Sequence, residues 1–387
     1  MNILGSNLKR YDRISLSALG LWILISIYCF AQSLIRHRLN NYLIFENTFL
    51  NLIKEQSLYT AYPQIHDDTN HYGPVFGVFM APFALLSTKV GLLFWNLFNC
   101  LLLFKAISTI KMTQKNIIYF IALPCFVSSM LSQQFNPATA ALIIFSYTLR
   151  NHQKGLWSAF FIMLGTFIKL YGIIGLAFFF FVQDKRKFVL YLFFWSVILF
   201  CLPMLFSSPA YIINSYKEWA ISLGAKNALN IASLTCDISI MGFVRSLFNR
   251  PIPNLYFLIV GAGIFFLPYL NFIKYHKNNF QLSILASVLL FPVLFSSGSE
   301  DCTYIIAVVG VGIWYTMAKR TLADQLLLAA VILSSFDFPL MLFPDFTTLH
   351  PIFIKMISVP FFLVWLKVIK LATSMAPVQD QHMAIQV

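Results

Sequence analysis

The segment His66-Asp67-Asp68-Thr69-Asn70-His71-Tyr72 gathers two carboxylates, two imidazoles and a phenol in one short stretch. A carboxylate here can serve as a general base that takes the proton of an attacking hydroxyl; a solvated acidic loop explains the same pair. His66 and His71 make a metal site conceivable, but their spacing matches no metal motif and no metal is expected. Lys169 is a different signal, a cation inside an apolar run. Such a residue either belongs to a site or snorkels to the interface, and an ammonium at the end of a half-helix suits a phosphate. Gln134 and Asn136 offer neutral hydrogen bonds to sugar hydroxyls or phosphate oxygens, or else Asn136 caps a helix that begins at Pro137. Glu300 and Asp301, between two apolar runs, form a plain loop or a second polar wall of the same cavity.

The elements that must position these residues are membrane helices. The sequence of 387 residues is 59% hydrophobic and 11% charged, whereas an average soluble domain is about 25% charged. Apolar runs of spanning length recur throughout, about ten to twelve, some half-length, which predicts an all-α polytopic membrane protein. Residues 1–372 read as a single integral membrane domain with a first outer loop at 36–74 and a second at 207–237; residues 373–387 read as a polar cytoplasmic tail. The first helix, about 16–35, lacks a small-residue cleavage site after it and reads as uncleaved.

Charge sets the topology. Basic clusters at Lys9/Arg10/Arg13, Lys105/Lys111/Lys115, Arg150/His152/Lys154, Lys185/Arg186/Lys187, Lys274/His276/Lys277, Lys319/Arg320 and Lys367/Lys370 are expected on the cytoplasmic side. Neighbouring clusters are then joined by an even number of crossings. Between 75 and 105 this leaves one net crossing, so the Pro-containing segment 75–86 is expected to be interfacial or re-entrant. Between 155 and 182 it requires two half-helices with Lys169 at the turn, since a lysine stranded in mid-membrane costs about 2.5 kcal/mol or more. Asp67/Asp68, Gln134/Asn136, Lys169, Asp237, Glu300/Asp301 and Asp345/His350 all fall toward the other side. The longest polar interval there, Asn40–Pro74, also carries Glu46 and Glu55.

The net charge of +13 is explained by these clusters, and nucleic acid is not an expected partner. Six scattered cysteines show neither a disulfide framework nor ligand spacing. There is no phosphate-cradling glycine loop, nucleophile elbow or zinc motif, so soluble-type hydrolase chemistry has no support and no cofactor is expected.

Several pieces in order carry a resemblance: Asn41-Tyr42-Leu43-Ile44-Phe45, Leu58-Tyr59, Tyr72-Gly73-Pro74-Val75-Phe76, Ala81-Pro82, Trp95-Asn96, Gln134-Phe135-Asn136, Lys169-Leu170-Tyr171, and Ser299-Glu300 ahead of the apolar pass that ends near Trp314. Together they resemble glycosyltransferase family 87, polyprenyl-phosphate-mannose-dependent mannosyltransferases of the C-type fold, in a bacterial version. The resemblance implies a multi-pass enzyme of the bacterial inner membrane with its site facing the periplasm. Its partners would be a polyprenyl-phosphate-linked sugar, a lipid or glycan acceptor, and membrane lipids. An acid in the first outer loop would deprotonate the acceptor, with inversion at the sugar. Where the family usually has an aspartate, eighteen residues ahead of Tyr59, this sequence has Asn41. The base would then be Asp68 first, Asp67 or Glu46 second, and Glu300 as a remote option; otherwise activity is altered or lost. Lys169 would hold the donor phosphate with Gln134 and Asn136 nearby, and Tyr72 would line the cavity. The rival class is a transporter or lipid flippase, for which inverted repeats are expected; none is visible.

Overall fold

The computed structural model describes residues 13–151, 154–233, 236–336 and 352–374. Lys9, Arg10, His152, Asp345, His350 and the tail after 374 lie outside the described residues. Among the described residues four helices are long and apolar enough to cross a membrane: Arg13–Ile35 (α1), Thr88–Thr109 (α4), Lys185–Leu205, whose α-helical part is Lys185–Cys201 (α9), and Ile352–Ser374, which divides into Ile352–Lys355 (α16) and Ser358–Ser374 (α17). Shorter apolar helices surround them, and no strand occurs among the described residues. The chain is an all-α polytopic membrane protein.

Hydrogen bonds define two ends. Ser15 near the start of α1 bonds Asn116, and Asn278 donates to the Lys111 carbonyl; Arg150 pairs with Gln281 and Arg320 with Gln114. We call this the basic end. At the far end of α1, Gln133 donates to Ser33 Oγ and to the Arg38 carbonyl at 3.0 and 2.6 Å. Asn136–Thr148 (α7) and Asn278–Leu294 (α13) also run between the two ends, and Tyr304–Met317 (α14) packs along α13. Within this bundle Trp22 stacks on Phe126 at 4.2 Å and Phe104 on Tyr119 at 4.1 Å, with the indole N–H satisfied by the Tyr119 carbonyl. A buried tryptophan needs such a partner.

The interval 36–74 is not simply a loop. Asn40–Ile53 forms α2, whose apolar face carries Tyr42, Phe45, Phe49 and Leu52 into the core. Pro74–Ala84 forms α3, opened by Pro74 at the first helical position, where a missing N–H costs nothing. Its start is tied to Ile168 through the Gly73 N–H, and near its end the Phe83 carbonyl accepts the Tyr42 hydroxyl at 3.3 Å. The Tyr42 backbone N–H in turn donates to Gln133 Oε1 at 3.3 Å, which joins α3 to the Gln133 end of the bundle.

The interval 155–182 divides as its charge pattern predicted. Gly155–Ile168 (α8) ends at Lys169, which is extended (φ −145°, ψ 110°), and the chain folds back as a 3-10 helix over Leu170–Phe181. The two arms touch at glycines: a Cβ on Gly172 would lie 2.3 Å from the Gly165 carbonyl carbon, so only glycine admits the fold. The interval read as a second outer loop is mostly one helix, Pro209–Ala232 (α10), followed by Ile240–Phe248 (α11) and Asn254–Phe266 (α12).

Candidate active site

The polar segments converge around a cavity of about 550 Å³ away from the basic end. Asn41 and Phe45 of α2, Asp68–Tyr72, Gln134, Lys169–Tyr171, one face of α10, and the 295–303 turn line it. An aromatic cluster forms its base. Tyr72 stacks on Phe76 at 4.4 Å, Phe45 meets both edge-on, and Trp95 lies against Phe135 with its N–H on the Gln133 carbonyl. This packing fixes the Tyr72 hydroxyl, which donates to Gln134 Oε1 at 2.8 Å. Gly73 completes the junction: a Cβ there would lie 2.1 Å from the Phe167 carbonyl oxygen.

Lys169 reaches into this cavity from the break between α8 and the 3-10 helix. Its ammonium donates to Asn136 Oδ1 at 2.7 Å and lies 4.9 and 5.7 Å from the ring centroids of Tyr171 and Tyr72. Asn136 Nδ2 in turn donates to the Cys302 carbonyl at 3.2 Å, which orients the amide oxygen toward the lysine. Lys169 forms no ion pair among the described residues. A cation held by a neutral amide and two ring faces keeps its charge available to an incoming anion.

Asp68 occupies another wall. Its side chain is 54% exposed, Lys226 Nζ lies 3.5 Å from Oδ2, and the Thr69 N–H donates to Oδ1 at 2.8 Å. His66 holds this turn from behind, its Nδ1 donating to the Asp68 carbonyl at 2.6 Å while Nε2 accepts from Asn47 at 3.3 Å. His71 differs: Nδ1 meets Ser222 Oγ at 3.0 Å, and Nε2 is buried without a partner. Burial first, and then the positive charge of Lys226, lowers its pKa to about 4, so the ring is neutral at pH 7.

The remaining candidates divide. Asn41 lines the cavity, but its amide N–H is committed to the Ser132 carbonyl at 2.8 Å. Glu300 lines it as well and accepts from Cys302 Sγ at 3.5 Å, within a capping box with Thr303. Asp67 and Glu46 do not line it: the Asp67 side chain is exposed, and Glu46 accepts from Thr88 Oγ1 at 3.1 Å. Among the described residues no group of three or more His, Cys, Asp and Glu side chains could hold a metal ion.

Sequence reasoning missed the α10 wall. Trp219, Leu223, Lys226, Asn227 and Asn230 all line the cavity, and their spacing of three and four is the period of one helix face. That signal lay within the interval read as a loop. Tyr171 and Asn254 were also missed. Asn254 donates to Asn227 at 2.8 Å, and behind it Arg245 bonds Asn254 and pairs with buried Asp237.

The sequence profile of glycosyltransferase family 87 matches residues 70–297, more than half of the chain and most of the cavity wall. The chain belongs to that family. It is therefore a multi-pass membrane glycosyltransferase. No curated protein matches the sequence.

Proposed function

We propose that this glycosyltransferase moves a hexose, with mannose the first sugar to test, from polyprenyl phosphate to a lipid or glycan acceptor at the extracytoplasmic face of a bacterial inner membrane. The observation that carries this is the pairing of types in one cavity: an ammonium with no carboxylate partner, Lys169, and a half-exposed carboxylate, Asp68.

The acceptor hydroxyl attacks the anomeric carbon from the side opposite the phosphate. Its proton passes to Asp68, a carbon–oxygen bond forms to the acceptor, and the bond to the phosphate oxygen breaks with its electron pair. The configuration at that carbon inverts. Lys169 neutralises the charge that gathers on the departing phosphate, a contribution largest in a site closed to water. Asn136 and Tyr171 keep the ammonium in place, and Tyr72 with Gln134 borders the sugar. The phosphate is already a good leaving group, so positioning and charge neutralisation supply much of the rate.

Asn41 favours a second reading, a relative with altered catalysis. Its amide already donates to Ser132 and cannot take the proton that an aspartate would. Sugar release from polyprenyl-phosphate-hexose in membranes separates the two. Turnover by the wild type that falls in Asp68→Asn and in Lys169→Ala supports transfer through these residues. No turnover on any lipid-linked hexose, or unchanged turnover in both variants, overturns it.

A further inference from the structure

Asp68, Thr69, His71 and Lys226 border two hollows at once: the main cavity, and a second one of about 390 Å³ between the 57–69 turn and α10. Lys169, Gln134 and Glu300 line only the first. Ser57, Thr60 and Glu218 line only the second. The Asp68–Lys226 ion pair thus stands at a junction, with the carboxylate accessible at the boundary.

We infer that this second hollow is an acceptor subsite and that it takes the uncharged, hydroxyl-rich end of a glycan. The inference presupposes the transfer reaction proposed above. A base serving two substrates must face both, and Asp68 does so only if the acceptor arrives from the side away from Lys169. The chemistry of the hollow then selects the acceptor. Its charged lining residues are Asp68, Glu218 and Lys226, one net negative charge with His71 neutral. An acceptor bearing phosphate or carboxylate would be repelled by this lining.

Sugar hydroxyls, by contrast, find partners. Glu218 is fixed by Ser57 Oγ at 3.1 Å and Asn214 Nδ2 at 2.8 Å, leaving lone pairs for a ligand. The hydroxyls of Thr60 and Thr69 make no bond within the protein among the described residues. Ile221 and Leu229, two exposed apolar residues eight apart on α10, offer a surface for the C–H face of a sugar ring. The same glycan end could be free or lipid-linked, since the hollow is open on one side; the two sources share this chemistry.

The test uses full-length protein in nanodiscs without donor, read by saturation-transfer NMR. The probes are neutral mannose, glucose and galactose trisaccharides, each free and on a short alkyl chain, together with their 6-phosphates. Thr60→Trp and Ala225→Trp fill the hollow at exposed positions, and two sites on different elements guard against one failing to fold. Saturation of at least one neutral trisaccharide by the wild type, reduced about tenfold or more in both variants and weaker for its 6-phosphate, supports the subsite. A signal for the free sugar assigns a free glycan, and one only for the alkyl form assigns a lipid-linked one; both support the proposal. No neutral signal in the wild type, equal signals in wild type and variants, or preference for the phosphates overturns it. These results do not depend on turnover, so failure of the transferase reading appears separately, as no sugar release from the lipid-linked donor.

Discussion

The Lys169 ammonium and the Asn136 side-chain oxygen are 2.7 Å apart, the one hydrogen bond that cation makes among the described residues. Replacing the amide by a carboxylate, Asn136→Asp, would give Lys169 an ion-pair partner and cancel the charge we propose it offers the donor. The KM for the lipid-linked donor is expected to rise about tenfold or more. Asn136→Ala should raise it less, because the cation stays unpaired. Donor titration of sugar release measures both, and an unchanged KM in Asn136→Asp would remove Lys169 from phosphate binding.

Asp68 and Lys226, 3.5 Å apart, should separate in kinetics. Asp68→Asn removes the proposed proton acceptor and is expected to lower kcat by about 10²- to 10⁴-fold, the range of general-base catalysis. Lys226→Met removes only a neighbouring charge and should cost less, by about tenfold or below. Steady-state turnover in membranes checks the ranking; equal losses would make the ion pair, rather than the carboxylate, the functional unit.

Asn41 offers a gain-of-function test. Its Nδ2 donates to the Ser132 carbonyl, and an aspartate there has no proton to donate and would turn from that oxygen. Placed in an Asp68→Asn background, Asn41→Asp is expected to restore sugar release by about tenfold over the single variant. Absence of rescue in a folded double variant would show that no proton can be taken from that wall.

Two glycines should behave oppositely. Gly73→Ala drives a methyl to 2.1 Å from the Phe167 carbonyl oxygen, and overpacking of this kind costs about 1–3 kcal/mol. Gly224, on α10 with nothing within 4 Å, should gain about 0.5–1 kcal/mol as alanine. Thermal unfolding in detergent would show a lowered Tm for the first and an unchanged or raised Tm for the second.

His71 predicts a pH response. Its folded pKa, lowered from 6.5 to about 4, lies below the unfolded value, so stability is complete above pH 6.5 and is lost as pH falls toward 4. His71→Gln should flatten the fall in Tm across that window. An equally steep fall in the variant would assign the acid sensitivity to other groups.

Much of this was legible in the residues. Lys169 between two apolar half-segments, each flanked by basic clusters, forced the break that the structure has, because neither a stranded ammonium nor a misplaced cluster is tolerated. Pro74 and Pro82 marked the short α3 in the same way. What was not legible came from amphipathic pieces. Asn40–Ile53 and Pro209–Ala232 are polar enough to read as loops, yet Tyr42, Phe45, Phe49 and Leu52 on the first, and Trp219, Leu223, Lys226 and Asn230 on the second, follow the helical period. Mean hydropathy hides such a period, and it averaged both away. Asp67 and Glu46 stand off the cavity lining through ties that the local sequence does not show: Asn40 Oδ1 accepts the Asp67 backbone N–H, and the Glu46 carboxylate accepts from Thr88.

The hairpin that carries Lys169 also fixes a depth. Its arms have 14 and 12 residues, so an ideal α-helix rises about 21 Å over the first and a 3-10 helix about 24 Å over the second. A hydrocarbon layer is about 30 Å thick. Neither arm is long enough to cross such a layer by itself. The length of the two arms therefore sets how far into the cavity the Lys169 tip is carried. One turn added to or removed from each arm would shift that ammonium by about 5–6 Å against the Asn136 amide that now holds it, so the register of the hairpin, and not only the identity of residue 169, decides whether the charge meets the cavity.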